Sequence, residues 1–174
     1  MNTDGTHITV IPTGSSHESS KRQFLLYCLS IREQVFCEEQ QVAFHVEQDG
    51  KDNESGHILL WIHDVPVGTL RFRKTTEGIK LERVSVLKEY RGLHYGILLI
   101  RAGIKAAREE GATGPVYLHA QKSAQGFYEK IGFVSSLDEF IEGGIAHTSM
   151  ALPSDVEISM ICQAYADNPT ESVI

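Results

Sequence analysis

The sequence predicts an α/β (α+β mixed) domain, a central mixed and mostly antiparallel twisted sheet flanked by helices. Two observations carry this. Three strand-length apolar runs follow one another with short turns, as in an antiparallel meander, and after them helical and strand periods alternate, as crossover connections require. The 174 residues, 41% hydrophobic and 22% charged, suffice for one domain with a core. That domain is expected to span residues 1–153, with 154–174 as a polar C-terminal tail.

Thr6 to Pro12 is read as a first strand, and Ser15 to Ser20 is rich in helix-capping residues. Phe24, Leu25, Cys28, Leu29, Val35 and Phe36 then recur at three- and four-residue intervals, placing one apolar stripe on a helix that runs to about Glu38. Glu39 to Gly56 gathers Glu47, Asp49, Asp52 and Glu54 around Gly50, the composition of a solvated loop. The meander follows: His57 to Ile62, a turn at Asp64-Val65-Pro66, Val67 to Lys74, a turn at Thr76-Glu77-Gly78, and Ile79 to Val86. Strict alternation in the last strand puts Lys80, Glu82, Val84 and Val86 on one face. Ile97, Ile100, Ile104 and Ala107 line a helix that Gly111 ends. Val116 to Ala120 is a strand, Ser123 is the expected N-cap of a helix to Lys130, and Gly132 suits its C-terminus. A hairpin of Phe133 to Leu137 with a strand ending near Met150 completes the domain.

Sixteen Lys and Arg against 23 Asp and Glu leave a net charge of −7, which speaks against sequence-independent binding to nucleic acid and against anionic membrane surfaces. No apolar run approaches the roughly 18 residues that span a bilayer, and Met1-Asn2-Thr3-Asp4 lacks the flank of a signal peptide, so a cytoplasmic protein is expected. Cys28, Cys37 and Cys162 are too scattered for a disulfide framework and are expected reduced. His57 and His63 would lie roughly 20 Å apart along one strand, too far to share a metal. No metal site is expected, and Asp49 to Glu54 lacks the ligand order of an EF-hand.

Arg91-Gly92-Leu93-His94-Tyr95-Gly96 lies between a strand and a helix. Amides at a helix start have no intrahelical partners, so such a loop can cradle a pyrophosphate, with Arg91 adding a charge-assisted contact. It is neither a Walker motif nor a Rossmann fingerprint.

Val84 through Gly96 resembles the fingerprint of the GNAT superfamily of N-acetyltransferases, a strand followed by R-x-x-G-x-G or A and a helix. Phe127-Tyr128-Glu129-Lys130-Ile131-Gly132-Phe133 is similar to that family's F-Y-E-K-x-G-F segment. More narrowly, Arg32 to Phe36, Asp49 to Asp52, His119-Ala120-Gln121 and Gly144 to Met150 resemble the ElaA-like branch, and the likeness covers about Ile31 to Met150. His94 departs from the pattern, standing where the family has its middle glycine.

The resemblance implies acetyl-CoA as cosubstrate, with its arm entering a sheet split between two parallel strands. Val84, Val86, Arg91, Gly92, Leu93, His94, Tyr95, Gly96 and Gln121 would bind it, and the Val86 amide would face the thioester oxygen. Tyr128 matches the position of the general acid. Glu82 is the candidate base, which an alkyl ammonium of pKa about 10.4 requires. Asp49, Asp52 and His147 would face a small-molecule or peptidyl amine acceptor, the acidic loop raising the local concentration of cations. The alternative is a catalytically inactive acyl-CoA-binding module, motivated by His94.

Overall fold

A computed structural model of the chain describes residues 5–15 and 18–153. Seven strands form one sheet: β1 (Thr6–Ile11), β2 (Gly56–Ile62), β3 (Val65–Thr75), β4 (Gly78–Val86), β5 (Val116–Gln121), β6 (Val134–Glu142) and β7 (Ile145–Leu152). Their spatial order is β1-β2-β3-β4-β5-β7-β6, antiparallel throughout except for the parallel β4–β5 pair. The expected mixed, mostly antiparallel sheet is therefore observed. The tail and Cys162 lie outside the described residues.

Helix α1 (Ser19–Arg32) covers one face of the sheet, α3 (Tyr95–Glu109) the other, and α4 (Gln125–Lys130) packs beside β5 and β6. The period-two pattern of the strands sorts the apolar residues between them. Ile58, Leu60, Leu70, Phe72, Leu81 and their neighbours form the larger core under α3, with Ile97, Ile100 and Ile104. Leu59 and Ile11 meet Leu25, Cys28, Ile31 and Val35 in a smaller core under α1. Gly103 lets α3 approach closely, since a Cβ there would sit 2.6 Å from Leu70 Cδ2.

Four details differ from the sequence expectation. The first helix widens at Glu33 into a π-helical segment that ends at Glu39, with Gln40 N–H bonded to Val35 O at 3.2 Å. The acidic stretch is not a solvated loop: it holds a one-turn helix α2 (Phe44–Glu47), and Glu47 and Asp52 are buried. Ser123 lies inside a 3₁₀ turn (Lys122–Ala124) and does not cap α4. The fourth departure concerns β4. Thr69 pairs with Ser85 and Arg71 with Glu82, so Arg83 and Val84 together oppose Leu70 in a β-bulge, with Arg83 at φ +54. The bulge resets the alternation. Val86 joins Ile79 and Leu81 in the core under α3, whereas Glu82 faces the α1 side with Arg71, so Glu82 does not share a face with Val86.

Candidate active site

The groove begins where the sheet divides. β4 and β5 pair at Ile79–Val116, Lys80–Tyr117 and Leu81–Leu118 and no further. Beyond that point β4 stays with β3, while His119, Ala120 and Gln121 pair with β7. The edge of β4 that turns toward the split carries the Val86 peptide groups. Leu87 N–H donates to Val67 O on β3, and alternation along an antiparallel strand turns the Val86 N–H to the opposite edge. Its carbonyl on that edge accepts a hydrogen bond from Arg91 Nε at 2.9 Å.

A cavity of about 250 Å³ opens beside the split, between Leu81 and Val84 on β4, Leu118 and Gln121 on β5, and Tyr128 on α4. Tyr128 is 6% exposed and packs edge-on against Phe127 and Phe133, and burial raises its hydroxyl pKa well above the ordinary range. It therefore stays protonated at neutral pH. Gln121 reaches across the groove, its Nε2 donating to Gln40 Oε1 at 2.8 Å. His147 also lines the cavity, stacked on Phe140 with Nδ1 2.8 Å from Ile145 O.

At the far end, the segment after β4 enters α3 through Gly92 (φ +77) and His94 (φ +64). His94 is the residue preceding the helix, and its side chain does not cap it. The first intrahelical bonds come from Ile97 and Leu98 to His94 O, so the amides of Tyr95 and Gly96 are orphans of the helix start and suit an anion. Arg91 is already engaged: besides Val86 O, it makes a two-pronged pair with Glu39 at 2.6 and 2.7 Å.

The acidic residues are bound by buried arginines. Arg32, fully buried on α1, binds Glu47 and Asp52, each with a shortest contact of 2.5 Å. Arg71 on β3, also fully buried, grips Asp49 at 2.7 and 2.6 Å and touches Asp52 and Glu82. Arg83 reaches the carbonyls of Val46 and Glu47 and the Asp49 carboxylate. Asp49 lines the groove but spends its oxygens on these arginines, while Asp52 is turned inward and lines none of it.

Glu82 is bound by Arg73 at 2.7 and 2.9 Å, by Arg71 and by Lys80. Burial alone would raise its pKa, but the Arg73 hydrogen bonds and the nearby cations outweigh it and hold the carboxyl at about 2. Glu82 is thus held ionised by these cations, on the opposite face from Val86. On the same groove face, and given no role of its own in the sequence, His119 places Nδ1 3.0 Å from Glu142 Oε2. Among the described residues no cluster of His, Cys, Asp and Glu could hold a metal ion.

Residues 18–154 match the family model described as an acetyltransferase (GNAT) domain. The chain belongs to the GNAT acetyltransferase family. It is 42% identical over 121 residues to the uncharacterized N-acetyltransferase YjcF of Bacillus subtilis, covering 69% of this chain and 86% of that protein. The crystal structure of Escherichia coli ElaA superposes with a TM-score of 0.72 at 30% identity, over 84% of this chain and 99% of that one. A Bacillus anthracis putative streptothricin acetyltransferase, solved in complex with acetyl coenzyme A, matches 58% of this chain and 63% of its own, with a TM-score of 0.51 and 25% identity. No helix among the described residues of this GNAT chain is long and apolar enough to cross a membrane.

The ionic wall of this GNAT groove was signalled by cations in apolar surroundings. Arg32 follows Cys28 by four residues on the apolar stripe, and Arg71 stands between Leu70 and Phe72 in a buried strand. A charge in such a place requires a buried counterion, and the acidic segment supplies it.

Proposed function

We propose that the chain transfers an acetyl group from acetyl-CoA to a primary amine by direct attack in a ternary complex. The observation that carries this reading is the divided sheet, in which the Val86 N–H turns to the edge of β4 away from β3, Tyr128 lines the cavity beside the split, and the first amides of α3 are without intrahelical partners. The thioester, when bound, supplies the activated acetyl group. The relative solved with acetyl coenzyme A supports the same cosubstrate.

In this reading the backbone of Val84 and Val86 aligns the arm in the split, and the Val86 amide stabilises negative charge that grows on the thioester oxygen. The backbone of Gly92, Leu93, His94, Tyr95 and Gly96 holds the pyrophosphate, with Gln121 on the opposite wall. Arg91 positions this loop through Val86 and Glu39, and its guanidinium is not spare for a phosphate. Tyr128, kept protonated by its apolar surroundings, donates toward the leaving sulfur. His119 accepts the ammonium proton, directly or through water. A Glu142 carboxylate on Nδ1 orients the ring and leaves Nε2 as the basic nitrogen. His147 lines the acceptor side.

Neither described cysteine is a ready nucleophile: burial pushes the Cys28 thiol up to about 12 and also raises that of Cys37, which Glu47 and Glu33 raise further. This favours direct attack over an acetyl-enzyme.

The test is calorimetric titration with acetyl-CoA followed by an amine panel with mass detection of products. Acceptor-dependent CoA release is expected, and Tyr128→Phe should lower kcat by about 10²–10⁴-fold. Tight acetyl-CoA binding with no transfer to any amine would replace the enzyme by an acyl-CoA-binding module. An acetylated cysteine trapped during turnover would overturn direct attack.

A further inference from the structure

The charges around the groove are unevenly satisfied. One continuous ionic network joins the cations Arg32, Arg71, Arg73, Lys80 and Arg83 to the carboxylates Glu47, Asp49, Asp52 and Glu82. Cations outnumber carboxylates there by one, in a chain whose net charge is −7. Glu142, a further carboxylate on the cavity, faces His119, and Lys51 adds a positive charge at the cavity wall.

Coordination sharpens the imbalance. Each network carboxylate takes hydrogen bonds from arginine: Asp49 from Arg71 on both oxygens, Glu82 from Arg73 on both, Glu47 and Asp52 from Arg32. The groove-lining cations are less complete. Among the described residues Lys80 Nζ has only long contacts, 3.4 Å to Glu82 Oε1 and 3.4 Å to His119 Nδ1. Arg83 commits Nη2 to Val46 O, Glu47 O and Asp49 Oδ2. Its Nε is buried without a hydrogen bond among the described residues, 3.4 Å from Glu47 Oε1, while its Nη1 makes none among them either and the side chain stays 21% exposed. Arg83 also stands at φ +54 in the bulge of β4, a conformation that costs an L residue free energy and persists where the surroundings impose it. The bulge that divides the sheet thus also delivers a partly unsatisfied guanidinium to the cavity, three residues before the Val86 amide.

We propose that the acceptor is a small amine that also carries a carboxylate, and that Arg83 binds this carboxylate, with Lys80 adding to the attraction. The inference rests on the acetyltransferase reading and narrows it. A purely cationic acceptor would meet network carboxylates already bound by arginine. An amine with a carboxylate brings the one group that the wall lacks, and its anchored anion fixes the distance from which the nitrogen approaches the thioester.

The experiment is calorimetric. The full chain is saturated with CoA and then titrated with a series of ω-amino acids having one to five methylene groups, and with their primary amides as uncharged partners of matched size. For at least one chain length the acid is expected to bind ten-fold or more tighter than its amide. In Arg83→Met that ratio should fall below three, and Arg83→Lys should retain part of it. Because Arg83 sits in a strained bulge, Lys80→Met provides a second variant, expected to lower the ratio while leaving CoA uptake unchanged. Absence of CoA binding sinks the acetyltransferase reading and this inference with it. Normal CoA binding followed by equal or stronger binding of the amides, by no binding of either, or by a ratio that Arg83→Met leaves unchanged overturns this inference alone.

Discussion

The two faces of strands β3 and β4 are built from opposite materials. Toward α3 they present Leu70, Phe72, Ile79, Leu81 and Val86, an apolar surface that helix periodicity alone is enough to cover. Toward α1 and α2 they present Arg71, Arg73, Lys80 and Glu82, all tied into a buried ionic network. The apolar face is made of many small, non-directional contributions and positions nothing in particular. The ionic face is directional: each guanidinium fork fixes a carboxylate, and those carboxylates fix the segment from Glu47 to Asp52 that walls the groove. Taking charges out of water is costly, so such a wall is weak evidence of stability and better evidence that its geometry matters.

The comparison breaks most visibly where one partner of the network is removed. Arg71→Met should destabilise the fold by about 3–5 kcal/mol in urea denaturation, because Asp49, Asp52 and Glu82 lose a shared buried cation. Its neighbour across the sheet, Leu70→Ala, should cost about 2–5 kcal/mol by cavity formation, but with acceptor KM little changed. A shift in the Arg71→Met midpoint of under 1 kcal/mol would mean that the ionic face is dispensable. Of comparable size but on activity, His119→Asn should lower kcat by about 10²–10⁴-fold. An unchanged kcat in that variant would assign the proton acceptor elsewhere.

The ionic face should also announce itself in acid. His57 is buried beside the network, Nε2 donating to Asp52 O, and burial lowers its pKa from 6.5 to about 4. The unfolded chain therefore takes up this proton before the folded one does. Its contribution is complete above pH 6.5 and is lost as the pH falls toward 4, up to roughly 3 kcal/mol. Glu82 adds a later loss between its ordinary value of 4.5 and about 2, since its protonated form gives up Arg73. Urea midpoints from pH 7 to 4 should fall in the parent chain and stay flatter in His57→Gln.

The smallest expected effect lies in the loop before α3. His94→Gly should raise stability by about 1 kcal/mol, because glycine occupies the left-handed region without the Cβ penalty, and CoA affinity should not fall. Weaker CoA binding in that variant would give the imidazole a role in holding the coenzyme.

Much of the molecule was legible because its signals are local. The apolar periods in residues 24–36 and 97–107 define helices wherever they occur, and Arg91 to Gly96 and Phe127 to Phe133 are short motifs whose chemistry sits within a few residues. The acidic stretch misled for the complementary reason. Asp49 and Asp52 look solvated in sequence, and what determines their fate is Arg71, 22 and 19 residues away, and Arg32, 20 residues before Asp52. Glu82 misled through a single residue: alternation placed it with Val86 until the bulge at Arg83 shifted the count by one.

The sequence by itself determined the order of strands and helices, the meander, the loop poised at a helix start and the family to which these motifs point, because periodicity and short motifs act over neighbouring residues. Only the tertiary structure decided which carboxylates are spent on buried arginines, which edge of β4 the Val86 amide faces, and that His119 on β5 meets Glu142 on β6 across β7. Those outcomes depend on pairing between distant segments and on one extra residue in a strand. Charge in a folded protein is set by what lies beside a group in space.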